Sequence, residues 1–125
     1  MIAKKKSPKI LIAEDEAINR MYLAEILKDE NYEVLEAENG EMAVELCQLY
    51  PDIDCVLMDV KMPGLNGYDA AKKIREFRPN LIIILQTAYY MEKSDLEKAK
   101  GLFQDIIEKP INENHLFKLL KYYLS

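Results

Sequence analysis

The sequence predicts a doubly wound α/β domain built on a five-stranded parallel sheet with helices on both faces. Two observations carry that expectation. Short, β-branched apolar runs alternate five times with stretches that repeat their apolar residues at helical spacing. The junctions carry turn chemistry, notably Asn39-Gly40, Pro63-Gly64 and Asn66-Gly67. Strands separated by helices imply right-handed crossovers and parallel pairing.

The elements follow in order. Lys9–Ala13 reads as the first strand, and Ala17–Asp29 as a helix with Tyr22, Leu23, Ile26 and Leu27 on its apolar stripe. Residues 32–37 form a second strand, after which Ala43, Leu46, Cys47 and Tyr50 stripe a helix that Pro51 ends. Residues 54–58 are the third strand, and Ala71, Ile74 and Phe77 mark the following helix. The run 81–85 is the most apolar, which suits a strand covered on both faces in the middle of the sheet. The fourth helix, after Met91, has few apolar positions (Leu96 and Ala99). Residues 105–107 are the fifth strand, and Leu116, Leu119, Leu120 and Tyr123 stripe a last helix with Asn112 as its N-cap.

Composition narrows the function. The chain has 125 residues, 50% hydrophobic and 31% charged, which is the size and balance of one globular domain. Residues 1–8, with Lys4, Lys5 and Lys6, read as a tail or linker end, and residues 9–125 as the domain. A net charge of −5 argues against direct nucleic-acid binding. No apolar run reaches the ~20 residues of a membrane helix. Cys47 and Cys55 lack metal-type spacing and suit reduced, buried thiols. No membrane insertion and a cytoplasmic location are therefore expected.

The polar residues at the strand ends carry the chemistry. Ligands of such sheets bind outside the carboxyl ends of the strands. Glu14, Asp15 and Glu16 follow the first strand, Asp59 the third, Thr87 the fourth and Lys109 the fifth. Taken singly, the acids could simply favour a helix N-terminus, and Asp59 could be a turn residue. Carboxylates brought together repel unless a cation joins them. Hard oxygen donors suit Mg²⁺, which keeps water for a phosphate to replace. A lysine and a hydroxyl would meet phosphoryl oxygens, since phosphoryl transfer depends on positioning and charge neutralisation. A free carboxylate could then attack and form an acyl phosphate.

The joint pattern resembles the receiver domain of two-component response regulators, from about Lys9 to the C-terminus. The matching pieces are Ala13-Glu14-Asp15-Glu16, Val56-Leu57-Met58-Asp59-Val60-Lys61-Met62-Pro63-Gly64-Leu65-Asn66-Gly67, Thr87-Ala88 and Lys109-Pro110. The resemblance implies a flavodoxin-like (βα)5 sheet in the order 2-1-3-4-5. Asp59 would be the phosphoacceptor, with Thr87 and Lys109 pairing to the phosphoryl group. Glu14, Asp15, Asp59 and the backbone carbonyl of Lys61 would hold Mg²⁺. Pro110 would follow a cis peptide bond that aims Lys109. The donor would be a histidine kinase, a phosphotransfer protein or a small phosphodonor. The chain would be a signalling phosphoacceptor and not a separate enzyme, catalysing only its own phosphorylation and dephosphorylation. A homodimer through the face of the fourth helix, fifth strand and fifth helix is a further implication.

Two positions depart from the family pattern. The family usually carries Tyr or Phe three residues before the lysine, where this chain has Ile106. Gly101 also falls one residue early, ahead of Leu102 and Phe103. A weakened aromatic switch would shift the burden of signalling to Tyr89 and Tyr90, directly beyond Thr87. The rival reading is a degenerate receiver that serves only as a protein-interaction module. Other rivals lack their chemistry. Glu14, Asp15 and Glu16 would repel a flavin phosphate, no P-loop motif occurs, and Lys61 stands where an aspartyl phosphatase would place its second Asp.

Overall fold

All five apolar runs form strands in the computed structural model, which describes residues 7–88 and 91–125. They are β1 (Lys9–Ala13), β2 (Glu33–Ala37), β3 (Ile53–Asp59), β4 (Ile82–Thr87) and β5 (Asp105–Glu108). The pairing is parallel throughout, in the order β2-β1-β3-β4-β5. Five helices separate and follow them: α1 (Ala17–Asp29), α2 (Gly40–Leu49), α3 (Gly67–Phe77), α4 (Lys93–Ala99) and α5 (Glu113–Leu124). The tail lysines Lys4 to Lys6, and Tyr89 and Tyr90, lie outside the described residues.

The two faces of the sheet are packed differently. Ile10, Ile12, Cys55, Leu57, Ile84 and Ile107 face α1 and α5, where Leu23, Leu27, Leu116 and Leu120 are buried against them. Leu11, Ala13, Val56, Met58 and Ile83 face α2 and α3 and meet Ala43, Cys47, Ala70, Ala71 and Ile74. Strand residues one apart therefore point to opposite layers, as the pleat requires. A third cluster gathers Val60, Tyr68, Leu85 and Ala99, with Met91, Phe103 and Ile106 packed against it. Ala99 is the buried residue of α4, in keeping with its sparse apolar pattern.

Several boundaries differ from the sequence reading for local reasons. Tyr32 stays outside β2 because Asn31 turns the chain at φ 66°. Leu81 is buried but precedes β4, and the strand runs on through Gln86 and Thr87, which pair with Ile107 and Glu108. The apolar stripe of α1 is narrower than expected: Leu23, Ala24 and Leu27 are buried, whereas Tyr22 is 43% exposed. Its hydroxyl donates to Glu113 of α5 at 2.6 Å. Tyr50 caps α2 and is exposed rather than core. Asn112 does cap α5, accepting from the His115 amide at 3.0 Å.

Arg75 ties three segments together. Its guanidinium donates to the carbonyls of Leu102, Arg78, Pro79 and Leu81, and to Oε1 of Gln104. Gln104 Oε1 in turn accepts from the Ile83 amide at 2.7 Å. The last turn of α3, the start of β4 and the segment before β5 are thus held by one side chain.

Candidate functional site

The sheet order reverses at β1, whose neighbours are β2 on one side and β3 on the other. That reversal opens a crevice at the carboxyl ends of β1 and β3. Glu14 follows β1 directly; its amide donates to the Ala37 carbonyl at 3.0 Å, and its carbonyl accepts from Arg20 Nη1 at 2.8 Å. Those two bonds fix the chain where Glu14 turns inward. Its side chain is 0% exposed, Asp15 remains exposed, and Glu16 caps the start of α1.

Asp59 is the last residue of β3 and 6% exposed. The loop after it folds back tightly, and the Gly67 amide donates to the Val60 carbonyl at 2.9 Å. A Cβ at Gly67 would clash with the Asp59 carbonyl oxygen, so only glycine lets α3 begin so close to the strand end. Asn66 caps α3 by accepting from the Asp69 amide at 2.9 Å.

Lys109 closes the site from β5. Its amide donates to the Thr87 carbonyl at 2.8 Å, and the Lys109-Pro110 peptide is cis, as the family resemblance implied. Its Nζ lies 2.7 Å from Glu14 Oε1 and 3.2 Å from Asp59 Oδ2. One ammonium thus sits between two buried carboxylates. One carboxylate oxygen from each of Glu14, Asp15 and Asp59 lies within 4.8 Å of the other two.

The electrostatics follow from burial and crowding. Burial drives the Asp59 carboxyl up to about 7, the nearby Glu14 carboxylate adds to this, and Lys109 opposes it. For Glu14, burial also pushes upward, but bonds from Lys109, Asp59 and the Glu16 amide outweigh it and hold the group low. Burial works against the Lys109 ammonium, yet Glu14 and Asp59 together raise its pKa above the ordinary lysine range. Below about pH 7 the three groups therefore carry one ammonium, one carboxylate and a proton on the Asp59 side.

Such a donor set fits a hard dication. Three carboxylate groups converge, and a buried carboxyl that keeps its proton to about 7 marks a place short of positive charge. Lys61 lines the same open cavity of about 430 Å³ as Asp15, Glu16, Asp59, Ala88 and Lys109. Thr87 is buried, 2% exposed, at the end of β4. Ile106 lies on β5, in register with Leu85 and half-buried against the α4-side cluster. The fold therefore brings together Glu14, Asp15, Asp59 and Lys109, with Lys61 alongside and Thr87 at the next strand end. Gln86 was not anticipated: this buried carboxamide on β4 stands in register with Asp59. Its signal was a polar residue at an inward-facing strand position.

Comparison with known proteins agrees with this geometry. The family model described as "Response regulator receiver domain" matches residues 10–121. The chemotaxis protein CheY of Thermotoga maritima is 40% identical over 114 residues, 90% of this chain and 93% of that protein. The transcriptional regulatory protein PdtaR of Mycobacterium tuberculosis is 45% identical over 74% of the chain. The chain spans 44% of PdtaR and 27% of a cyclic di-GMP phosphodiesterase of Thermotoga maritima that is 37% identical to it. Among solved structures it is similar to a chain in the co-crystal of the Saccharomyces cerevisiae phosphotransfer protein Ypd1 with the receiver domain of Ssk1. That match has a TM-score of 0.85 and 28% identity, covering 95% of this chain and 90% of that one. This chain belongs to the response regulator receiver domain family.

Proposed function

We propose that Asp59 accepts a phosphoryl group from a histidine kinase, a phosphotransfer protein or a small phosphodonor. The observation that carries this is the Asp59 carboxylate, buried at the end of β3 and facing Lys109 Nζ at 3.2 Å. An Asp59 oxygen would form the new O–P bond as the donor's bond to phosphorus breaks, giving an acyl phosphate. Asp59 must shed its proton to attack, and the Lys109 ammonium favours that ionisation. Lys109 and the Thr87 hydroxyl would then pair with phosphoryl oxygens.

Glu14, Asp15, Asp59 and the Lys61 carbonyl would hold Mg²⁺. The bound ion would supply the positive charge that three carboxylates lack and that phosphoryl oxygens need. The chain would act as a signalling phosphoacceptor rather than a separate enzyme, working in the cytoplasm as residues 9–125 after a tail of residues 1–8. A homodimer through α4, β5 and α5 fits the same reading. The Ypd1–Ssk1 pairing supports a phosphotransfer protein as one donor. Incubation with acetyl phosphate and Mg²⁺ should add one hydroxylamine-labile phosphoryl group. Asp59→Asn or EDTA should abolish it. Full labelling of that variant would sink the assignment. Absence of labelling in the wild type would favour the interaction-module alternative.

A further inference from the structure

Gln86 sits in the site without a visible task. It is the penultimate residue of β4 and 0% exposed, and among the described residues neither its Oε1 nor its Nε2 has a hydrogen-bond partner. A buried carboxamide in that state carries the desolvation cost of a donor and an acceptor together. An apolar side chain of similar volume would fill the same space without it, so packing does not account for the residue.

Its surroundings suggest what the amide waits for. Gln86 pairs in register with Asp59, so the two side chains leave the sheet on the same face. It also lines a cavity of about 510 Å³ together with Glu14 and Lys109, bounded by α1 residues such as Leu23 and by Pro110 and Ile111. Glu14 is occupied by Lys109 Nζ and the Glu16 amide, and Asp59 by Lys109. The carboxamide thus lies beside a complete set of bonds and outside it.

We propose that Gln86 is a positioning residue for the charged state of this site. New negative charge on Asp59 draws Lys109 Nζ away from Glu14, and the Gln86 Nε2–H group takes its place on the buried Glu14 carboxylate. The unpaired amide penalises the resting arrangement and is relieved in the charged one. Gln86 therefore tilts the balance toward the phosphorylated arrangement through a differential interaction. The inference rests on the phosphoacceptor reading of Asp59, and its test includes an arm free of phosphoryl chemistry.

Three measurements test it. First, Gln86→Leu should raise the metal-free melting temperature by roughly 3–8 °C, because it removes an unsatisfied buried group. Second, it should weaken beryllofluoride binding, measured with Mg²⁺, by roughly tenfold, while beryllofluoride should shift the wild-type Gln86 side-chain NH₂ resonances. Third, in a Lys109→Met background Glu14 has lost its ammonium, and Gln86→Leu should turn from stabilising to destabilising. This last arm needs no phosphorylation, so it decides the role of Gln86 even if Asp59 proves not to be the acceptor. A Gln86→Leu variant less stable than the metal-free wild type would overturn the proposal, since the amide would already have a partner. So would an equal effect of the substitution in both Lys109 backgrounds, or unchanged beryllofluoride affinity.

Discussion

Asp59→Asn should make the metal-free protein more stable, by a margin that grows as pH rises from about 4 to about 7 and is full above that. In the fold the Asp59 carboxyl is pushed up to about 7 from the ordinary 3.8, first by burial and then by Glu14. Between those two values the folded state holds a proton that the unfolded chain has released. Stability therefore falls as pH rises through this window and levels off above it. A displacement of that size corresponds to at most about 4 kcal/mol at 1.36 kcal/mol per pH unit. Glu14 is held low and acts in the opposite sense, so a net gain of about 2 kcal/mol is the reasonable figure for the amide. For a chain of this length that is roughly 6–8 °C in Tm. An amide is close to an isostere of the protonated acid, so the two proteins should match only near pH 4 and below, and at pH 5 the gain should be about a third of its value at pH 8. Thermal unfolding in EDTA at pH 5 and pH 8 reads the difference. A gain equal at both pH values, or a loss at pH 8, would refute the electrostatic reasoning.

Three further outcomes follow from the geometry. Millimolar Mg²⁺ should raise the wild-type Tm by mass action, and Asp15→Asn should remove most of that rise in the same melt; unchanged Mg²⁺ affinity would place the metal elsewhere. Gly67→Ala should cost at least ~2 kcal/mol in urea unfolding, because its Cβ meets the Asp59 carbonyl oxygen and the backbone must move; it should also slow phosphorylation. Arg75→Met should destabilise the fold by roughly 2–4 kcal/mol, since several carbonyls around Leu81 and Leu102 lose their donor. Hydrogen exchange should then rise at the start of β4 and in the segment before β5.

Much of the fold was legible because its signals are local. β1 and α1 fall on the ranges expected, since β-branched runs and helical stripes need only neighbouring residues to be recognised. The acids after β1, Asp59 and Lys109 could be assigned to one crevice because parallel strands bring their carboxyl ends to one edge. Exposure on α1 was less legible: Tyr22 belongs to the periodic stripe by spacing, yet its hydroxyl reaches Glu113, 91 positions away. The Arg75 and Gln104 network was hidden for the same reason, as its partners are carbonyls whose direction only the fold decides. Gln86 followed an apolar run and ended in the core without a partner among the described residues. No periodic rule reveals that a polar side chain will be left unpaired.

The central claim is that Asp59 becomes an acyl phosphate. After reaction with acetyl phosphate and Mg²⁺, borohydride reduction converts a phosphorylated aspartate to homoserine, which peptide mass spectrometry can locate. The account predicts that the change falls on the peptide carrying Asp59 and nowhere else. Homoserine at Asp15 instead, or a phosphoryl group retained on any other residue, would contradict it.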